Sequence, residues 1–166
     1  MRIDPELVAA SPSVPQCTFR PATPADVEVI LHHRREMFRE MGGKYRESLE
    51  QYESASRKYF EAALQDGTYV AMMAELGSEI AGGGGVLIAP WPGSPLNFEP
   101  KRAWILNIYV EPEHRRQGLA KALTQLLIDW CRGNDFGSVA LHASEYGRGL
   151  YEKLGFVPTN EMRLIL

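Results

Sequence analysis

The chain has 166 residues, of which 18 are basic, 21 are acidic and 45% are apolar, and its net charge is -3. This length and composition fit one globular domain with a core of its own. A general nucleic-acid binder would carry a strong basic excess, so the composition excludes that class and we expect no nucleic-acid partner.

The N-terminal segment, residues 1–16, has acidic charge and three prolines where a signal peptide needs an apolar core. We therefore expect a flexible arm, followed by a single domain over residues 17–166. No apolar run is long enough to span a membrane, so we expect no membrane partner. The two cysteines, Cys17 and Cys131, lack metal-ligand spacing. Lone thiols are typical of a reduced, cytoplasmic protein, and we predict no metal site.

The first half of the chain predicts a strand, two helices and a hairpin. A short strand starts at Cys17, and a capping box from Thr23 to Asp26 predicts a helix from about Pro24 to Met41. A charged amphipathic pattern predicts a second helix over about residues 46–64. Two strands, residues 68–76 and 79–89, meet at a Gly-Ser turn.

The four glycines at 82–85 lie within the second hairpin strand. A strand and then a proline follow them instead of a helix, so they do not form a phosphate-binding loop. Glycines inside a strand indicate either a flexible strand that makes room for a ligand or a bulge.

The second half predicts a buried strand at 103–110, a helix from near Gln117 to about Arg132, a strand at 138–143 and a short helix at 144–155. The last two predicted elements are strands, over residues 156–159 and 161–166. This order predicts an α/β fold with a mixed, mostly antiparallel sheet of about six or seven strands and about four flanking helices.

The stretch RRQGLA, residues 115–120, lies where the buried strand passes into a helix. The first turn of a helix presents unpaired N–H groups and the positive end of its dipole, which together favour an anion. Gly118 lets a ligand approach the backbone, and the two arginines add positive charge. These residues suggest a pyrophosphate site. An ordinary strand–helix turn with exposed arginines remains the alternative on these six residues alone.

The longer stretch VEPEHRRQGLAKALTQLLIDW resembles the acyl-CoA binding motif of the GNAT superfamily of N-acyltransferases. The family pattern Arg/Gln-x-x-Gly-x-Gly/Ala is met by Arg115, Gly118 and Ala120, after a strand that ends in Val110 and Pro112. The downstream stretch LYEKLGF and the opening FRPATPAD also look like that family, so the resemblance covers about residues 18–166. It implies a GNAT-like sheet whose central parallel strands splay apart.

The resemblance implies an acetyl-CoA-dependent N-acetyltransferase in which a primary amine attacks the thioester directly through a tetrahedral intermediate. The pantetheine arm would pair with the strand backbone, and a backbone N–H there would polarise the thioester carbonyl. Ser144 stands where many members place an asparagine that holds the pantetheine, although it is also suited to capping a helix. The residues implied in cofactor binding are Ile108, Tyr109, Val110, Arg115, Arg116, Gln117, Gly118, Leu119, Ala120 and Ser144.

The same resemblance assigns Tyr151 as the general acid toward the departing thiolate, since a phenol with a pKa of about 10 stays protonated at neutral pH. Packing against its apolar neighbours is the alternative role. The general base is left between His142, which titrates in a useful range, and Glu161. Asn107 and Glu40 are candidates for contact with the acceptor.

The predicted activity is therefore acetyl transfer to a primary amine of a small molecule or a peptide. The first alternative is a non-catalytic acyl-CoA-binding or regulatory module on the same fold. The second is an α/β domain whose arginine turn binds nothing. A homodimer is expected only by analogy with the family.

Overall fold

The structure is a computed structural model, and it describes residues 3, 14–42, 49–93, 95 and 98–164. Five strands form one sheet in the order β1-β2-β3-β4-β5. The strands are β1 (Cys17–Pro21), β2 (Tyr69–Leu76), β3 (Glu79–Pro90), β4 (Lys101–Val110) and β5 (Val139–Leu141). The first four are antiparallel to their neighbours, whereas β5 runs parallel to β4. The predicted mixed, mostly antiparallel sheet is confirmed.

In the described part of the chain, four α-helices flank this sheet: α1 (Val27–Met41), α2 (Leu49–Asp66), α3 (Leu119–Gly133) and α4 (Glu145–Lys153). All four predicted helices are confirmed, although residues 46–48 of the second one lie outside the described residues. Within the described ranges no helix is long and apolar enough to cross a membrane, and no cluster of side chains is suited to a metal ion.

The two faces of the sheet carry separate cores. One face packs on α3, whose apolar side includes the fully buried Leu123, Leu127 and Trp130. The other face packs on α1 and α2, with Phe60 and Tyr69 at its centre. Most of the predicted N-terminal arm lies outside the described residues, but Ile3 is buried in the α3 core. A sheet covered on both sides explains the nearly continuous apolar run of β4.

The entry to α1 is held by one charged cluster. The Asp26 carboxylate accepts from the backbone N–H of Thr23 at 2.7 Å and pairs with both terminal nitrogens of Arg20 at 2.8 Å. Arg20 also donates to Glu75 of β2 at 2.6 Å. The Arg20 guanidinium lowers the pKa of the Asp26 carboxyl despite its burial. The predicted helix start thereby also joins β1, α1 and β2.

The prediction of two C-terminal strands is wrong for the residues that the structure describes, and residues 165 and 166 of the second one lie outside them. Residues 154–164 follow α4 without forming any strand, so the described sheet has five strands instead of six or seven. Pro158 lacks the N–H that a ladder needs, and β5 offers only three paired residues as an edge. Met162 and Leu164 consequently lie open to solvent, at 95% and 82% exposure.

Candidate active site

The turn between β4 and α3 presents a row of free backbone donors. A 3-10 turn over Pro112–His114 leads to Gly118, the N-cap of α3, which is left-handed with φ at 89°. None of the N–H groups of residues 116–120 finds an acceptor within the described part of the chain. A Cβ at position 118 would meet no atom within 4 Å, so the space in front of this glycine is open. Geometry and chemistry both fit an anionic group.

The two arginines of the turn differ in their contacts. Arg115 donates to the carbonyl of Val110 at 2.9 Å and to the carboxylate of Glu40 at 2.6 Å, and its guanidinium lies 5.4 Å from the Tyr109 ring centroid. It thereby ties the turn to the last residues of α1. Arg116 is exposed, with φ at 65°, and no described carboxylate pairs with it. The predicted acceptor residue Glu40 therefore lies in an ion pair with Arg115.

β4 and β5 part soon after they pair. Their parallel register covers only Ala103 to Ile105 against Val139 to Leu141. From Leu106 onward no described strand pairs with β4 on its β5 side, so the two strands separate there, and we call this unpaired edge of β4 the opening. The backbone of Ile108, Tyr109 and Val110, predicted to meet the pantetheine arm, runs along this opening.

A β-bulge lies at the start of the opening. Gly83 pairs with Tyr109 and Gly85 with Leu106, so Asn107 and Ile108 of β4 stand opposite Gly84 alone. The four-glycine run makes this possible, because a Cβ on Gly84 would lie 2.3 Å from the Ile108 side chain. A bulge was one of the two structures that these glycines predicted. The side chain of Asn107 is buried, and both ends of its amide are hydrogen-bonded within the protein.

The two base candidates touch each other. Nε2 of His142 lies 2.8 Å from a carboxylate oxygen of Glu161, and a terminal nitrogen of Arg163 lies 3.3 Å from the same Nε2. The bond from His142 lowers the pKa of Glu161. The imidazole ring also lies 5.0 Å from the Trp104 ring, on the side of the sheet that faces α1 and α2. His142 directly follows the last paired residue of β5, so it stands where the opening begins.

Tyr151 and Ser144 both belong to α4. The Ser144 hydroxyl accepts from the backbone N–H of Gly147 at 3.2 Å, which makes it the N-cap of the helix. The Tyr151 ring packs 5.9 Å from Phe156, and burial raises the pKa of its hydroxyl. Tyr146, on the same helix, is almost fully exposed.

One cluster at the end of β4 was not predicted. Glu111 lies 3.0 Å from Nε2 of His32 and 3.4 Å from Nε2 of His33. Burial lowers the pKa of His33 to about 4, so this imidazole is neutral at ordinary pH. Adjacent histidines on a helix gave no sign of a shared carboxylate, because Glu111 is remote in sequence and reaches them only through the fold.

Comparison with known families agrees with this geometry. A model described as the acetyltransferase (GNAT) family matches residues 29–156. Human N-acetyltransferase 8 is 29% identical over 78 residues, which cover 45% of this chain and 34% of that protein. Human N-acetyltransferase 8B is 36% identical over 64 residues, which cover 37% of this chain and 28% of that protein. The chain thus spans about a third of the length of these curated relatives.

Solved structures match over nearly the whole chain. A GCN5-related N-acetyltransferase from Ralstonia eutropha JMP134 has a TM-score of 0.86 and 32% identity, and the match covers 90% of this chain and 98% of that one. An acetyltransferase from Clostridium acetobutylicum, solved with acetyl-CoA, has a TM-score of 0.80 and covers 90% and 96%. At 22% identity, that second likeness shows the fold alone.

Proposed function

The chain belongs to the GNAT family of acetyltransferases, and on that premise we propose that it transfers an acetyl group from acetyl-CoA to a primary amine of a small molecule or a peptide. One observation carries the proposal. The part of β4 that β5 leaves unpaired ends at Val110, and one short turn separates it from the free N–H groups of residues 116–120, so one extended, anionic thioester would fit both features.

Each part of acetyl-CoA, the acyl donor, would contact its own part of the chain. The N–H groups before α3 would receive the pyrophosphate, Arg116 would add positive charge, and Gly118 would leave room for the phosphate oxygens. Arg115 would act indirectly by holding the turn in place. The backbone of residues 108–110 would pair with the amides of the pantetheine arm. When bound, acetyl-CoA supplies an activated acyl group with a thiolate leaving group.

The acceptor must lose a proton before it attacks. An alkyl ammonium with a pKa of about 10.4 is neutral in only about one molecule in a few thousand at pH 7. We assign His142 as the base, acting directly or through water. The 2.8 Å contact of Nε2 with Glu161 favours hydrogen on that nitrogen over the longer 3.3 Å contact with Arg163, which would require Nε2 to be an acceptor. The lone pair of Nδ1 is then left to accept the proton, and the carboxylate would stabilise the imidazolium.

Tyr151 would supply the proton at the other end of the reaction. The amine nitrogen would add to the carbonyl carbon while the carbonyl electron pair moves onto oxygen, which gives the tetrahedral intermediate. When this intermediate collapses, the carbon–sulfur bond breaks and the departing thiolate takes the phenol proton, and the nitrogen then gives its second proton to the tyrosinate, directly or through water, which restores the phenol. The raised pKa of Tyr151 keeps that proton in place until the thiolate develops. Ser144, as the cap of α4, would fix the position of the helix that carries Tyr151.

The first experiment measures binding. Thermal unfolding is recorded with and without CoA and acetyl-CoA for the wild type, for Gly118→Asp and for Gly133→Asp as the control. A Cβ at Gly133 would likewise meet no atom within 4 Å, but this glycine ends α3 at the far side from the turn. Ligand at a hundredfold excess over its dissociation constant should stabilise the wild type by about 3 kcal/mol. Gly118→Asp should lose this shift because its carboxylate repels the phosphates, whereas Gly133→Asp should keep it.

The second experiment measures turnover with a panel of amines, by following the release of free CoA thiol. Tyr151→Phe should lower kcat on the order of 100-fold and leave the shift caused by CoA unchanged. Tyr146→Phe, on the exposed face of the same helix, is the matched control. If CoA binds but no amine is turned over, the non-catalytic binding module becomes the better description. A wild type that binds neither CoA nor acetyl-CoA would remove the main support for the proposal.

A further inference from the structure

Asn107 adopts a backbone conformation that is rare for a residue with a side chain. Its φ is 58°, in the left-handed region, and it is one of the two bulge residues of β4 that face Gly84. Asparagine tolerates this region better than most residues but does not require it. We therefore expect contacts with other elements, and not the backbone preference of asparagine alone, to hold the bulge in a single conformation.

Both ends of the Asn107 amide are anchored, and each anchor comes from a different element. Nη1 of Arg34, on α1, donates to Oδ1 at 2.6 Å, and Nδ2 donates to the hydroxyl oxygen of Tyr69, on β2, at 3.1 Å. The assignment of the amide is unambiguous, because arginine has only donors and must therefore face the oxygen. The side chain is 6% exposed, so water does not compete for either bond.

The two anchors are themselves fixed. Tyr69 is fully buried with its ring 4.9 Å from that of Phe60, and burial raises the pKa of its hydroxyl, which stays neutral. The Arg34 guanidinium lies 5.0 Å from the ring centroid of Phe38 and 5.2 Å from that of Tyr52. No carboxylate among the described residues forms an ion pair with Arg34, so its polar partners there are neutral: Asn107, at 2.6 Å, and the hydroxyl of Tyr52.

We infer that Arg34 and Tyr69 are positioning residues, which act through Asn107 to aim the peptide groups of the bulge at the thioester carbonyl. This inference rests on the proposed function, in which a backbone N–H at this point polarises that carbonyl. The bulge takes Asn107 and Ile108 out of the one-to-one β3–β4 register. The three-residue lock (Arg34, Asn107 and Tyr69) would prevent the bulged peptide from turning. A donor fixed before the reaction begins stabilises an oxyanion more strongly than one that must reorient.

The variant Asn107→Gly tests the lock because it keeps the left-handed backbone accessible and removes only the side chain. Asp135→Gly is the matched control. Asp135 is another non-glycine residue with a positive φ, 60°, and it lies in the exposed turn after α3. Tyr69→Phe and Arg34→Met each remove one anchor. All four are compared with the wild type for CoA affinity, kcat and KM.

Two spectroscopic measurements distinguish a change in the orientation of the bulge peptide from a loss of folding. The first is the NMR order parameter of the Ile108 amide in the ligand-free protein, which we expect to fall from about 0.85 to below 0.6 in Asn107→Gly. The second is the carbonyl resonance of bound [1-¹³C]acetyl-CoA. The wild type should shift it downfield of the free thioester, and Asn107→Gly should largely abolish that shift while CoA affinity stays within about twofold. We expect kcat to fall by up to about 100-fold, since small misplacements can cost that much.

The outcomes distinguish this inference from the function on which it rests. If wild type does not bind acetyl-CoA, or does not move the carbonyl resonance, the proposed function fails at that step. If wild type moves the resonance and Asn107→Gly moves it equally, the lock is refuted and the proposed function stands. If Asn107→Gly does not fold, the carbonyl resonance is measured in Tyr69→Phe and Arg34→Met instead. If both variants shift that resonance as far as the wild type does, the inference is overturned.

Discussion

Gly85 is the position where adding a single methyl group should be most informative. A Cβ there would lie 2.4 Å from Cζ of Tyr69 and 2.5 Å from its hydroxyl oxygen. Tyr69 cannot move aside cheaply, because it is buried, packs edge-on against Phe60 and accepts a hydrogen bond from Asn107. We therefore predict that Gly85→Ala destabilises the protein strongly although alanine is otherwise a conservative change.

The magnitude follows from two contributions. Forcing an extra methyl into a packed core costs about 1–3 kcal/mol. Displacing the Tyr69 hydroxyl also removes its bond to Asn107, which costs about 1 kcal/mol more. The sum is about 2–4 kcal/mol, which should lower Tm by roughly 4–16 °C in a chain of this size. Urea unfolding, with the midpoint and slope fitted separately, measures the free energy directly.

Two further variants make the prediction specific to the contact. Gly133→Ala is the matched control, because it adds the same methyl at the end of α3 where nothing lies within 4 Å, and we expect it to be neutral or slightly stabilising. In a Tyr69→Leu background the clashing ring is gone, so Gly85→Ala should cost about 1–2 kcal/mol less than in the wild type. A Gly85→Ala protein as stable as Gly133→Ala would refute the packing argument.

Two other predictions concern groups away from the opening. Because Arg20 lowers the pKa of Asp26, the ion pair stabilises the folded state above the unfolded pKa of about 3.9 and loses that effect as pH falls through the folded value. Asp26→Asn should therefore be less stable than wild type at pH 7 by about 1–3 kcal/mol, and the difference should shrink below pH 4 in urea titrations. Burial raises the pKa of Cys131 to about 12, so a thiol reagent at pH 8 should label the half-exposed Cys17 first and Cys131 only after unfolding. Rapid labelling of both thiols in the native protein would contradict this.

Most of the fold could be predicted from the sequence because its signals are local. The cap before α1, the Gly-Ser turn between β2 and β3 and the apolar face of α3 each lie within one element, and all three are confirmed. The prediction of two C-terminal strands was wrong because it, too, used only local signals. Residues 161–164 alternate polar and apolar side chains like a strand. A strand also needs a neighbour with free backbone groups, and β5 is too short to provide one.

The side-chain partners of the candidate site were harder to predict because they depend on contacts between remote residues. Arg115 was expected to face a phosphate, yet it reaches across 75 positions to Glu40. His142 and Glu161 were considered separately and form one pair. Nothing in either neighbourhood indicates these contacts. By contrast, the left-handed Gly118 and the helix that begins after it depend on local sequence, and the predicted start of this helix near Gln117 agrees with the structure.

The bulge explains why a simple strand pattern misplaces the polar residues of β4. Strict alternation from Ala103 and Ile105, which pack toward α3, would put residues 107 and 109 on that same face. The extra residue reverses the alternation, so Val110 packs toward α3, whereas Asn107 and Tyr109 turn toward α1. The four glycines opposite are the local sign of this change, because a strand without side chains is needed where another backbone bulges toward it. One inserted residue thus places the Asn107 side chain beside Arg34, at the point on β4 where the proposed chemistry would take place.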